Sequence, residues 1–225
     1  MLAAPEFTVV TADEQTAGRG RRDRTWHSRQ GDGLYLSLLV CPQRAIAPQS
    51  LLSLAAAVAT AEAIITFVPS RVDIKWPNDI LIGERKVSGI LIEGTSVEPP
   101  SSRIIIGIGV NLNSHEFPKE LEERATSIFL EVGKDIEPVQ FRDYLLEKLG
   151  RWYQFWNAGD VKTILDRWRS LSSYAVGKEV GVLTDTGEVI GTTCGLAADG
   201  ALLVRLQSGE VRTIISGEVQ NLRSQ

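Results

Sequence analysis

Cysteine, histidine and methionine are scarce in this chain, with two, two and one among 225 residues. Cys41 and Cys194 lie far apart and show no C-x-x-C spacing, so they read as structural thiols rather than a disulfide framework or a zinc site. His27 and His115 add no ligand spacing that would join them. Long apolar runs are missing too: none reaches the roughly 20 residues that cross a bilayer. The opening Met1-Leu2-Ala3-Ala4-Pro5-Glu6 lacks the basic-then-apolar order of a secretory signal, and the cytoplasm is the expected location. No G-x-x-x-x-G-K-[ST] loop occurs, and no G-x-G-x-x-G precedes a helix, which excludes two familiar glycine cradles for nucleotide phosphate. Surplus positive charge is absent as well. The formal charge is −4 and the isoelectric point near 5.4, which counts against a nucleic-acid-binding module.

The basic charge that exists gathers near the start. Five arginines fall within the eleven residues from Arg19 to Arg29, in Gly18-Arg19-Gly20-Arg21-Arg22-Asp23-Arg24-Thr25-Trp26-His27-Ser28-Arg29. Glycines deny this stretch a regular helix, and no apolar periodicity suggests a packed strand. A flexible loop carrying several guanidinium groups suits closure over a polyanion.

Apolar content of 43% with 23% charged residues is ordinary for a soluble globular chain. Phe7–Val10 and Leu34–Cys41 read as strands on either side of the arginine loop. Pro48–Phe67 is rich in Ala and Leu with only Glu62 charged, a helix that must be covered on most sides. Val72–Lys75, Asp79–Ile82, Val87–Glu93 and Arg103–Val110 are strand candidates, separated by turn signals at Pro77-Asn78, Gly83-Glu84 and Glu98-Pro99-Pro100. Val139–Trp156 returns to helical spacing, with Phe141, Leu145, Leu149, Trp152 and Trp156 on one core-facing side. A further helix follows over about Asp160–Leu171. Beyond Tyr174 the texture changes: residues 177–217 hold eight of the twenty glycines, set between short apolar runs. That pattern predicts a small antiparallel barrel or meander with tight hairpins, and divides the chain into 1–174 and 175–225. The smaller part is short for independent stability and is expected to pack on the larger.

Two further blocks carry chemistry. In Lys75-Trp76-Pro77-Asn78-Asp79, followed by Lys86 and Gly89, a strand ends on a lysine and turns at Trp-Pro. Asn78 and Asp79 open the next hairpin, and Lys86 sits past its Gly83-Glu84 turn. Two lysines, a carboxylate and an amide at strand ends suit a nucleotide and a metal, since lysine meets phosphate as a point charge and Mg²⁺ takes one or two carboxylates plus phosphate oxygens. A solvated hairpin is the alternative on this block alone. In Gly107-Ile108-Gly109-Val110-Asn111, glycines two apart clear one strand face for a flat ligand or another backbone.

The three blocks, in this order and spacing, closely resemble the biotin protein ligases. The quoted residues are Gln15-Thr16-Ala17-Gly18-Arg19-Gly20-Arg21, then Lys75–Asp79 with Lys86 and Gly89, then Gly107-x-Gly109-x-Asn111. Ala125-Thr126-Ser127 and the C-terminal segment share the likeness. The resemblance implies an α+β fold: a mixed β-sheet with packed helices of the class II synthetase-like type, then an SH3-like barrel. It implies activation of biotin by MgATP to biotinyl-5′-AMP, and transfer to a lysine of a biotin carboxyl carrier domain. Lys86, Arg21, Lys75 and Asp79 map to the catalytic group, with Lys86 the most sensitive. Gln15, Gly18, Arg19, Gly20, Arg21, Lys86, Gly89 and Gly107 map to biotin. Arg21, Arg24, Trp26, Lys75, Asn78, Lys86 and Asn111 map to ATP, and Asp79 to the metal. From charge alone Arg22, Arg24 and Arg29 read as solvated.

The family carries, before its counterpart of the first strand here, another strand and a helix with an Asp-Ser-Thr-Asn motif, and some 25 to 35 residues of that kind are expected upstream. No helix-turn-helix precedes the first strand, so a repressor role is not expected. No partner in nucleic acid or membrane is expected, and a homodimer is left open. A lipoate ligase or octanoyltransferase of the same superfamily would bring an Arg-Arg…Gly-Gly-Gly loop or a Cys–Lys pair, and neither is present. A non-catalytic form that binds biotin or nucleotide without turnover is the remaining alternative.

Overall fold

The computed structural model describes residues 4–22, 24–42, 47–68, 72–94 and 102–221. Asp23 and the Glu98-Pro99-Pro100 turn lie outside them. Strands β1 (Val9–Ala12), β2 (Gly33–Val40), β3 (Val72–Lys75), β4 (Asp79–Ile82), β5 (Arg85–Gly94) and β6 (Ile104–Asn111) form one sheet in the order β1-β2-β6-β5-β4-β3. The first strand starts two residues later than Phe7, because Phe7 adopts φ 63° in a turn closed by Thr8 N–H on Pro5 O at 3.3 Å.

The fold is α+β, but the sheet expected to be mixed is antiparallel at every named strand pair. Short links between β3, β4 and β5 leave no room for a crossover, and short links enforce antiparallel neighbours. The crossover that does occur, through helix α1 (Gln49–Phe67), joins β2 to β3, which lie at separated positions in the sheet. Alternation divides the two faces. Ile104, Ile106, Ile108 and Val110 of β6 and Leu34, Leu36, Leu38 and Val40 of β2 are buried, whereas Ile105 is exposed.

Helix α1 packs on the buried face. Its six alanines are all buried and let it lie close, while Leu51 and Leu52 contribute about 1.5–3 kcal/mol each by burial. By length and composition α1 is apolar enough to cross a bilayer, although the unbroken apolar runs within it are short. Within the fold 67% of its most apolar window is buried. Glu62 accepts from Arg167 Nε at 2.8 Å and Trp152 Nε1 at 2.9 Å. It thereby ties α1 to α3 (Pro138–Asn157) and α4 (Val161–Ser170). A short helix, α2 (Ile128–Val132), follows β6 and escapes the sequence reading.

Strands β7 (Val176–Thr184), β8 (Gly187–Leu196), β9 (Leu202–Arg205), β10 (Val211–Ile214) and β11 (Glu218–Asn221) form a second antiparallel sheet in the order β10-β9-β8-β7-β11. Only Ile215, Ser216 and Gly217 separate β10 from β11, although these are opposite edges. A link that short spans at most about 14 Å, less than the roughly 19 Å width of five flat strands, so the sheet must curl. The curl is SH3-like, but β10 and β11 do not pair and the barrel is not closed. This sheet docks on the first through Trp76 Nε1, which donates to Gly200 O at 3.0 Å, and Ser50 Oγ, which donates to Asp199 O at 2.6 Å.

Candidate active site

Register places Tyr35, Gly109, Gly89, Asp79 and Lys75 in one cross-strand row on the face opposite α1. The two glycines at the centre of this row leave a gap, and the indole of Trp26 lies in it. A Cβ at Gly109 would come within 2.6 Å of Trp26 Cε2, and one at Gly89 within 3.1 Å of Trp26 Cζ3. The arginine loop delivers Trp26 by folding back on itself. Gly20 N–H donates to Arg24 O at 2.7 Å, and Trp26 N–H donates to Gly18 O at 2.9 Å. Gly18 is required at the base, where a Cβ would stand 2.7 Å from Trp26 O. Arg22, near the tip, takes φ 54°, a left-handed conformation unusual for a side-chain-bearing residue.

Around the indole the cations converge. Lys86 Nζ lies 2.5 Å from Asp79 Oδ1 and 5.4 Å from the Trp26 ring centroid. Arg21 reaches Asn78 Oδ1 at 3.5 Å, Gly217 O at 3.4 Å and Ser216 Oγ at 3.4 Å. All three contacts are long, so Arg21 keeps its capacity for a better acceptor. Burial holds the Arg21 guanidinium below its usual range, and neighbouring Arg22 adds to the effect. Burial likewise lowers Lys75; Asp79 and Glu218 pull it back, while Lys86 and Arg24 push it further down. Desolvated, incompletely neutralised cations of this kind favour an anionic ligand. Trp26 Nε1 is also buried without a hydrogen-bond partner, a donor left for a ligand acceptor. Tyr35 closes the far end of the row; burial pushes its phenol up to about 12, so it stays a donor, to Arg29 O at 3.3 Å.

The remaining candidates fall into place around this core. Asn78 Nδ2 donates to Ile90 O at 2.6 Å, and Asn111, 6% exposed, donates to Thr126 O at 2.9 Å. Arg19 pairs with Glu93 at 3.1 Å on the open face. Gly107 shares that face one step beyond Gly109. Gln15 anchors the start of the loop, its N–H donating to Ser28 Oγ at 3.0 Å. Three arginines read as solvated are paired instead. Arg22 NH2 meets Asp185 at 2.7 Å, Arg24 NH1 meets Glu218 Oε1 at 2.7 Å, and Arg29 NH1 meets Glu116 at 3.3 Å. Asp185 and Glu218 lie more than 160 residues downstream, and nothing local signals them. Two cavities, of about 550 Å³ beside His115 and about 430 Å³ beside Tyr153, lie away from the cation cluster, whose cleft Trp26 fills.

Among the described residues no group of three or more His, Cys, Asp or Glu side chains could cage a metal. Asp79 is the carboxylate at the cluster. One carboxylate beside a phosphate site fits Mg²⁺, which completes its shell with phosphate oxygens and water.

Known proteins resemble this chain along most of its length. Residues 3–111 match the profile of the Biotin/lipoate A/B protein ligase family, and residues 175–220 that of the Biotin protein ligase C terminal domain. The bifunctional ligase/repressor BirA of Bacillus spizizenii is 36% identical over 219 residues, 96% of this chain and 67% of its own length. The biotin–[acetyl-CoA-carboxylase] ligase of Paracoccus denitrificans is 34% identical over 89% of this chain and 85% of its own. Among solved structures, the biotin protein ligase from Aquifex aeolicus in complex with biotin and ATP superposes with a TM-score of 0.85 at 31% identity, covering 99% of this chain and 91% of the other. Both sheets, the loop between β1 and β2, and relatives matched along nearly the whole chain lead to one conclusion: this chain belongs to the biotin protein ligase family.

Proposed function

We propose that the cation cluster joins biotin to ATP and passes the biotinyl group to a lysine of a carrier domain. The observation that carries this reading is the crowding of Arg21, Lys75 and Lys86 about Asp79, with Glu218 the further carboxylate acting on Arg21 and Lys75. A biotin carboxylate oxygen attacks the α-phosphorus of ATP; the new O–P bond forms as the bond to pyrophosphate breaks, leaving biotinyl-5′-AMP. The amine of the acceptor lysine then attacks the acyl carbon. An amide forms, AMP leaves, and the amine proton passes to solvent.

The first step brings two anions together, and fixed cations lower its barrier by meeting charge where it develops. Lys86, beside Asp79 and next to the glycine pair, serves the carboxylate and the bridging phosphate. Arg21 serves the adenylate, with Lys75, Arg24 and Asn78 on the nucleotide side. Gln15, Gly18, Arg19, Gly20 and Gly89 serve biotin. Asp79 would hold Mg²⁺, which supplies charge neutralisation of the phosphates when bound. Closure of the arginine loop and Trp26 keeps water from the mixed anhydride. In this reading residues 1–174 carry the chemistry and 175–225 hold the loop.

Biotin-dependent exchange of labelled pyrophosphate into ATP tests the proposal. Exchange is expected with biotin, and Lys86→Ala should lower it about 100-fold or more, as loss of one transition-state donor does. Exchange with lipoate or octanoate in place of biotin would overturn the substrate, and no exchange with any of these acids would overturn the activity.

A further inference from the structure

The face on which Lys86 stands is not the one a regular strand would give it. Gly89 faces the open side of the sheet, in the row with Asp79. Lys86 is three residues earlier, and side chains alternate, so a regular ladder would turn it toward the core. It faces the open side because β5 carries a bulge. Ile80 pairs with Ser88 but Leu81 pairs with Lys86, so two steps on β5 oppose one on β4. The extra residue, Val87, is fully buried. A bulge of this kind re-aims a side chain.

A bulge weakens the ladder where it occurs, so something must hold the strand there. Beyond the end of its pairing with β6, Lys86 is gripped by residues 124–126. Its N–H donates to Arg124 O at 2.7 Å, and its carbonyl accepts from Thr126 N–H at 2.9 Å. That segment is fixed in turn by Glu131 of α2, whose side chain is only 5% exposed. Glu131 Oε1 accepts from Thr126 Oγ1 at 2.7 Å and from Arg85 NH2 at 2.7 Å. One carboxylate oxygen therefore holds the residue before Lys86 and the residue whose N–H bonds the Lys86 carbonyl. Burying a carboxylate is costly without such partners, so the geometry is strongly specified.

We infer that Glu131, acting through Thr126 and Arg85, is a positioning residue that holds the β5 bulge and so aims Lys86 at the reacting groups. This gives the Ala125-Thr126-Ser127 segment a role. The inference rests on the reading of Lys86 as the active-site lysine.

The test compares Glu131→Gln, Thr126→Val and Lys86→Arg, singly and as the two doubles containing Lys86→Arg, in the full chain. Pyrophosphate exchange gives kcat and the KM for biotin, and thermal melting reports folding. Each of Glu131→Gln and Thr126→Val should lower kcat about tenfold with a smaller change in KM, because an aim displaced by a fraction of an ångström loses rate before binding. Added to Lys86→Arg, neither should cost a further factor, since residues acting through one another are not additive. Unchanged kcat in the folded single variants, or full additivity in the doubles, overturns the positioning role. Should Glu131→Gln fail to fold, Thr126→Val, which leaves the Glu131–Arg85 pair intact, carries the comparison. Wild-type exchange in Lys86→Arg and Lys86→Ala alike would instead sink the underlying reading of Lys86, and the inference with it.

Discussion

Lys75 stands where a charge is disfavoured by burial and wanted by a polyanion, and the two demands separate cleanly by pH. Its folded pKa is below the unfolded value, so between the two the unfolded chain binds more protons and stability rises with pH. Below the folded pKa the cost of the buried ammonium is present in full. Lys75→Met should therefore melt at a higher temperature than the wild type at pH 7, and this advantage should shrink as the pH is raised toward 10.5, while ATP affinity measured by calorimetry falls. A variant that lost stability at pH 7 would contradict the assignment. At this scale much of the site was legible. Lys75, Asp79 and Lys86 lie within twelve residues because two hairpins bring them together, and hairpins are local. The ion pairs of Arg22 and Arg24 were not, because their partners Asp185 and Glu218 lie 163 and 194 residues downstream.

Among the elements, the strands and the long helices could be read, the four-residue β3 and β4 from the turn signals around them, and the short helix α2 could not. The alternation of β6 and the alanine-rich run of α1 announce themselves. Helix α2 has five residues, too few for a 3.6-residue period to appear, and it is held by its ends instead. Ser127 Oγ accepts from Leu130 N–H at 3.1 Å as an N-cap and donates to Ser114 O at 2.6 Å, and Gly133 closes the helix with φ 69°. Ser127→Ala should destabilise the chain by about 1–2 kcal/mol, the value of a lost cap, in urea denaturation. A change below about 0.3 kcal/mol would mean that α2 is held by its packing alone. The β5 bulge was hidden for the opposite reason. Val87 is apolar and buried, as Ile90 is, so the pattern of Val87-Ser88-Gly89-Ile90 does not disclose a shifted register.

Across the whole molecule the arginine loop is a strap between the two sheets. It leaves the first between β1 and β2, covers the glycine pair with Trp26, and ends its reach on Asp185, Ser216, Gly217 and Glu218 of the second. The bonds are exposed or half-exposed, so each adds at most about 1 kcal/mol to stability. Their effect is on the order of the loop. Glu218→Gln is accordingly expected to shift the melting temperature only slightly yet lower pyrophosphate exchange severalfold, with exchange in the wild type weakening as salt screens the pairs. Equal exchange in variant and wild type across a salt series would show that the loop closes without this anchor. Glycine spacing gave the second sheet as a small barrel or meander and its size gave packing on the larger part; the family resemblance added the SH3-like form, and the docking through Trp76 and Ser50 was not legible.

Helix α1 also has a history in time. Its cover comes partly from α3 and α4, and α3 ends roughly 90 residues after α1 does. At about 5–20 residues per second, synthesis leaves the most apolar segment of the chain without its helical cover for some 5–20 seconds. During that interval α1 is an apolar helix of membrane-spanning length with nothing yet made to shield its far side. The packing that makes it the centre of the finished fold makes it the segment with the most apolar surface to hide while the chain is made.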